Sequence, residues 1–190
     1  LFTLFALFSL LPLVTQAATW SFEWDKSKKD GGQGFYNFGT AYTDKDVYTT
    51  ELNGLMWNAS AEGTKVYAYT TKMGQYIGST EKPPTSAKLW TNDLAGNVKA
   101  VKVTARVKDD KCAGNVTVSV NDKSYICAGN TSATLTGSLA EYEFKVADTD
   151  AQEGKIEISL NQTSDTKGPL YIKKIEIEYE VAASNVLAPV

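Results

Sequence analysis

The chain has 190 residues, a formal net charge of -3 and 43% hydrophobic residues, and it contains no histidine. The missing imidazole excludes Ser-His-Asp and Cys-His catalysis, His-ligated zinc and any histidine proton shuttle. Its one basic cluster, KSKK at Lys26 to Lys29, is too small to track a phosphate backbone, so nucleic acid is not expected as a partner.

Leu1 to Leu11 form an apolar run, followed by Pro12 and the small-residue site Thr15-Gln16-Ala17. This pattern is the h-region and cleavage site of a secretory signal. The run is too short for the ~20 apolar residues of a membrane span. Residues 1–18 are therefore read as a signal peptide whose Met and basic start are missing, with the mature chain exported and not inserted in a membrane. No cysteine follows the run, so the usual attachment point of a bacterial lipid anchor is absent.

From residue 19 onward the apolar period is two. Trp20, Phe22 and Trp24 open the series; GLMWNAS and KVYAYT supply two further strands. Val101, Val103, Ala105 and Val107 alternate with polar residues, and so do Val116, Val118 and Val120. The same holds for Tyr142, Phe144 and Val146, and for Ile156, Ile158 and Leu160. Each run is a strand with one face on a core and one in water. Turn clusters such as DKDV, EKPPTS, VNDKSY and ADTDAQEG separate the runs, and no ten-residue stretch carries a helical stripe. The expected domain, residues 19–181, is all-β: a two-sheet antiparallel sandwich of roughly ten to twelve strands, a jelly roll.

The closing strand LYIKKIEIEYE changes phase. Leu170 and Ile172 are even-numbered, whereas Ile175, Ile177 and Tyr179 are odd. If all five face the core, one residue is inserted at Lys173-Lys174, which is a β-bulge. Val98 is out of phase with Val101 and Val103 in the same way. Residues 182–190 then read as a small-residue linker towards a further module.

Three segments, LNGLMWNAS, GQYIGSTEKPPTSAKLWTNDLAGNVKAVKVTA and GKIEISLNQTSDTKGPLYIKKIEIEY, resemble a β-sandwich module found near the N-termini of large secreted bacterial proteins. That module is similar to the galactose-binding-like jelly rolls, which include many carbohydrate-binding modules and cleaved-adhesin domains. The shared motifs are core and turn patterns. The resemblance implies a recognition role, with a glycan or a cell-surface ligand as partner. Many such domains carry an Asp in the closing strand that meets a first-strand Glu at a structural calcium ion. Here Lys173 stands at that position and Glu23 in SFEWD is the first-strand partner. A cation in the slot argues against the ion, so no metal and no cofactor are expected. Whether Lys173 neutralises Glu23 or both are solvated on an outer face stays open.

The tetrapeptide Cys-Ala-Gly-Asn occurs twice, at Cys112 and Cys127, and holds the only cysteines of the chain. The copies flank VTVSVNDKSYI, a hairpin with its turn near Asn121-Asp122-Lys123. In an exported chain two such cysteines are expected to form a disulfide, closing a loop of about 15 residues for ~3 kcal/mol. Gly114 and Gly129 are expected to take positive φ in the turns that follow.

Thirteen of the eighteen aromatic residues beyond the signal lie between Trp20 and Trp90, which is either a core end built from large side chains or a stacking surface for sugar rings. On the second reading Tyr67 and Tyr69 emerge together from one strand face, with Tyr76 and Trp90 joining them. Three functions fit: a non-catalytic module that binds glycan, an accessory domain of a larger secreted protein, and a carboxylate-based glycosidase. Exposed aromatics favour the first, a featureless polar surface the second. The third requires two carboxylates ~5 to 9.5 Å apart across a cleft.

Overall fold

Alternating burial runs through nearly every strand and builds a sandwich of two antiparallel sheets. The computed structural model describes residues 15–24, 46–70 and 72–182, apart from the side chains of Tyr69 and Ala182. The apolar run to residue 14, the KSKK cluster and residues 183–190 lie outside the described residues. In chain order the strands are β1 (Thr15–Glu23), β2 (Tyr48–Leu52), β3 (Leu55–Glu62), β4 (Tyr67–Thr70), β5 (Gly74–Ile77), β6 (Ser86–Thr91) and β7 (Asn97–Arg106). Then come β8 (Gly114–Val120), β9 (Lys123–Ser124), β10 (Ser132–Leu135), β11 (Ala140–Lys145), β12 (Ile156–Gln162) and β13 (Leu170–Ala182). A single 3-10 turn at Asp148–Asp150 is the one helical element among the described residues.

The first sheet, A, has the order β11-β7-β13-β5-β4, with β1 also paired to β13. Sheet B has the order β10-β8-β12-β6-β3-β2, and β9 pairs with β8. Neighbours in the sheets are mostly distant in sequence, the mark of a sandwich with long crossovers. On one side of β13 two strands follow each other: β5 pairs with Leu170 to Ile172 and β1 with Lys174 to Ala182. Gly74 sits at the junction. A Cβ there would lie 2.2 Å from the Ile172 carbonyl oxygen, so only glycine lets β5 approach this closely.

Both phase changes are bulges. Ile172 faces Ala105 and Lys174 faces Thr104, leaving Lys173 as the extra residue of β13. Glu178 faces Ala100 and Tyr179 faces Val98, leaving Lys99 as the extra residue of β7. Each insertion restores the inward direction, so that Leu170, Ile172, Ile175 and Ile177 all reach the core. The hairpin after β8 also turns where expected, with Asn121 at φ 47° and Asp122 at φ 63°. Two successive positive φ values make the type I′ turn that suits two-residue hairpins.

Aromatic side chains fill one end of the core. Trp20 stacks on Trp57 with centroids 5.5 Å apart, and Phe22 meets Trp24 edge to face at 4.9 Å. Trp24 and Trp57 are fully buried. The aliphatic residues of β7, β8, β12 and β13 fill the remainder. Each large buried side chain contributes roughly 1.5–3 kcal/mol through removal from water.

The cysteines depart from expectation, being free thiols. Ala113 accepts from the Thr163 amide at the start of the β8–β12 ladder, whereas Ser132, just past the second CAGN turn, pairs with Thr117. On the near side of that turn the Tyr125 amide, two residues before Cys127, donates to the Val118 carbonyl, five extended residues or ~16 Å along the strand from Ala113, against the ~7 Å between Cα atoms that a disulfide spans. The two glycines also differ. Gly129 has φ 85°, but Gly114 lies in β8, and its Cβ would meet the Asn161 carbonyl oxygen at 2.6 Å. One glycine serves a turn and the other a close approach of strands.

Candidate functional site

The expected aromatic cluster is divided by the fold. Tyr67 is 3% exposed and its ring packs against Tyr48 at 4.4 Å, with burial raising its phenol pKa. A ring enclosed in this way offers no face to a sugar, so Tyr67 belongs to the core. The Tyr69 side chain lies outside the described residues. Tyr76 and Trp90 are both half-buried and both point away from the core, but Tyr76 is in β5 of sheet A and Trp90 in β6 of sheet B. They stand on opposite outer faces of the sandwich.

On sheet A, Tyr76 faces Tyr171, which faces Arg106. The two rings are tilted by 48° with centroids 5.9 Å apart, and the Arg106 guanidinium lies 5.6 Å from the Tyr171 ring centre. Arg106 also donates to the carbonyls of Val107 at 2.8 Å and of Lys108. Its donors serve the fold, and the tilted rings share no flat plane.

Sheet B presents a different surface. Trp90 lies between buried Leu89 and Thr91, and register places it in one row across six strands. Thr49 of β2 faces Asn58 of β3, Asn58 faces Trp90, and Trp90 faces Glu157 of β12. Glu157 faces Ser119 of β8, which faces Ser124 of β9. Flanking rows are equally polar: Ser60, Lys88, Ser159 and Thr117 on one line, and Ser86, Asn161 and Asn115 on the next. Several of these groups hold one another in place. Thr49 Oγ1 donates to Asn58 Oδ1 at 2.7 Å, and Asn161 Nδ2 donates to Asn115 Oδ1 at 3.2 Å. Met56, 42% exposed, extends β3 beside this face.

The solved structures similar to this chain include carbohydrate-binding modules and a carbohydrate esterase. The xylan-binding module CBM15 matches with a TM-score of 0.43 and 12% identity, over 70% of this chain and 95% of that one. A family 29 carbohydrate-binding module from Piromyces equi matches with a TM-score of 0.47 and 13% identity, over 86% and 91%. A family two carbohydrate esterase from Cellvibrio japonicus matches with a TM-score of 0.42 and 10% identity, over 92% of this chain and 37% of that one. No protein-family model matches the chain, and no curated protein sequence matches it.

Around Trp90 the charges are organised by Glu157. Lys155 approaches this carboxylate at 2.5 Å and Lys88 at 3.0 Å, while the Lys155 ammonium sits 5.7 Å from the Trp90 ring centre. Burial pushes the Glu157 carboxyl up, but hydrogen bonds from Lys155 and Lys88 outweigh it and hold the group below the usual carboxylate range. An anion held between two ammoniums is a hydrogen-bond acceptor and a poor proton donor at neutral pH.

The metal-slot comparison also resolves into contacts. Lys173 Nζ lies 3.4 Å from Glu23 Oε1 and donates to the Trp24 carbonyl, while the Trp24 amide donates to the Lys173 carbonyl at 3.1 Å. The lysine thus neutralises Glu23 and ties the end of β1 to the bulge. Among the described residues no group of three acidic or cysteine side chains is placed to hold a metal ion.

Of the residues expected at the site, Trp90 is the one that stands on sheet B. Asn58, Glu157 and Ser119 are brought into its row by strand order, Lys88 lies two residues away on β6, and Lys155 just precedes β12. In sequence they are ordinary polar positions, and apart from Lys88 it is the register across three pairings, β3–β6, β6–β12 and β12–β8, that gathers them on one face.

Proposed function

We propose that this chain is a non-catalytic carbohydrate-binding module that holds its glycan on the outer face of sheet B, across Trp90. The observation that carries this reading is an outward, half-buried tryptophan at the middle of a row of amide, hydroxyl and charged side chains. A sugar needs both surfaces. Its C–H face stacks on an indole while its rim hydroxyls exchange hydrogen bonds with Asn, Ser and ion-paired side chains. The pairing of Glu157 with two lysines favours binding over glycosidase chemistry, which needs a carboxyl poised to give up a proton.

Export belongs to the same proposal. Thr15, Gln16 and Ala17 are exposed on β1, whereas Trp20, Phe22 and Trp24 are buried. Cleavage after residue 18 would remove no core side chain.

The test is affinity electrophoresis of the intact chain against soluble xylan, mannan, pectin and β-glucan, with Trp90→Ala beside the parent. Binding to at least one polysaccharide and its loss in Trp90→Ala are expected, with stability lowered by no more than about 1 kcal/mol for a half-exposed ring and its cation contact. Undiminished binding by Trp90→Ala, or no binding by the parent, overturns the proposal.

A further inference from the structure

The Trp90 row continues past β8 to a corner of the sandwich. Beyond Ser124 the chain leaves sheet B. Tyr125 is fully buried, with its hydroxyl donating to the Val98 carbonyl at 2.6 Å, and Ile126 bridges to Lys145 at the end of β11 in sheet A. The second CAGN turn follows, closed by reciprocal bonds between Cys127 and Asn130 of 2.8 and 3.0 Å. Its central residues, Ala128 and Gly129, both have positive φ, 48° and 85°. A Cβ-bearing residue in that region is uncommon and often marks a site where local shape matters.

This corner carries an open cleft of about 630 Å³, within the ~300–1,000 Å³ of small-ligand sites. Ile126, Ala128, Val146 and Ala147 give it an apolar lining, to which Lys123 and Lys145 add two ammonium groups. Asp150 is the one carboxylate of the lining. It stands 3.2 Å from Lys123, so the lining itself holds two lysines to one carboxylate. Lys145 meets Glu143, outside the lining, at 3.1 Å with its side chain 65% exposed at the rim. Ser124 belongs both to the lining and to the Trp90 row. Three interstrand steps separate it from Trp90, about 14 Å at ~4.8 Å per step, the reach of a short oligosaccharide.

We propose that the cleft is the end subsite of the Trp90 track and receives a carboxylate-bearing sugar unit, a uronate; this rests on the glycan-binding reading above. The apolar lining covers the C–H face of the ring. Lys123 and Lys145 supply charge-assisted bonds to the carboxylate, which are stronger than those to a neutral hydroxyl. The module is accordingly selective for acidic oligosaccharides, with Trp90 supplying stacking and the cleft supplying charge selection.

Calorimetric titration of the intact chain with tetragalacturonate and tetramannuronate, against neutral xylotetraose and mannotetraose, tests this. A preference of about tenfold or more for an acidic tetrasaccharide is expected, shrinking as salt screens the charges. The double variant Lys123→Gln, Lys145→Gln should lose the preference while keeping neutral binding, and Lys72→Gln, which removes an exposed charge elsewhere, should retain it. Equal binding of acidic and neutral chains, or a preference unmoved by the double variant, overturns the cleft assignment. If Trp90→Ala still abolishes neutral binding in that case, the Trp90 platform survives without it. Absence of binding to all four tetrasaccharides and to every polysaccharide overturns both.

Discussion

Cys112 and Cys127 keep their thiols because the fold spends the residues between them on two different jobs. Cys112 is 7% exposed beside Asp109, and burial, reinforced by that carboxylate, raises its thiol pKa. Cys127 is half-buried and heads the turn that walls the cleft. Since the thiolate is the reacting form, the two should differ in reactivity. Ellman's reagent is expected to count two thiols per unfolded chain purified without reductant, and in the folded protein to modify Cys127 well before Cys112. A count of zero would show that the bridge forms after all. Compartment and spacing argued for a bridge, but they carry no information about direction: Tyr125 turns into the core and takes the second copy away from the first. Tyr67 shows the same limit. Period two says that alternate residues share a face, without saying which face is wet at the start of a short edge strand, where Tyr67 and the preceding Val66 are both buried.

Strand β13 is where pattern and structure agree most closely, because it touches β1, β5 and β7 at once. Its bulge was legible in sequence for a plain reason: five apolar side chains cannot all enter the core across an odd spacing unless one residue is inserted. Removing the insertion is therefore a test of the element. Deletion of Lys173 would send either Leu170 and Ile172 or Ile175 and Ile177 to the solvent side, since a one-residue slip reverses a strand. It would also delete the ammonium that meets Glu23 and the Trp24 carbonyl. The deletion variant is expected to lose cooperative thermal unfolding, whereas Lys173→Met, which keeps the bulge, should unfold cooperatively at a somewhat lower temperature. Cooperative unfolding of the deletion variant at the parental temperature would show that the phase change does not hold the strand. Sheet B was less legible. Its strands were recognisable one by one, but the row from Thr49 to Ser124 is assembled by crossovers that alternation does not encode.

Across the whole molecule both outer faces carry ion pairs, and sheet A carries the denser lattice. Lys102 on sheet A reaches Glu178 at 2.6 Å, Glu176 at 3.3 Å and Glu143 at 3.8 Å, Lys174 meets Glu176 at 2.7 Å, and Lys99 meets Glu180 at 3.2 Å. Hydrogen bonds from Lys174 and then Lys102 hold the Glu176 carboxyl below its ordinary range, as Lys155 and Lys88 hold Glu157 on sheet B. A carboxyl with a depressed folded pKa adds stability that is complete above its unfolded value, near 4.5, and is lost as pH falls through the lower folded value. The lysines act in the opposite sense. Hydrogen bonding to Glu178 leads the upward shift of Lys102, so its contribution is complete below the ordinary lysine value of 10.5 and fades as pH rises through the raised one. Stability is expected to be flat between about pH 5 and pH 10 and to fall on both sides. Lys102→Met separates this network from general acid unfolding. At pH 7 the variant leaves three carboxylates crowded without their shared cation and should be roughly 1 kcal/mol less stable, a modest figure because the partners are partly solvated. At pH 3, below the ordinary value of 4.5 from which Glu176 is lowered, the difference between variant and parent should be smaller in their urea midpoints. A penalty of equal size at both pH values would assign the effect of Lys102 to packing of its aliphatic stem and remove the ion-pair lattice as the source of the pH dependence.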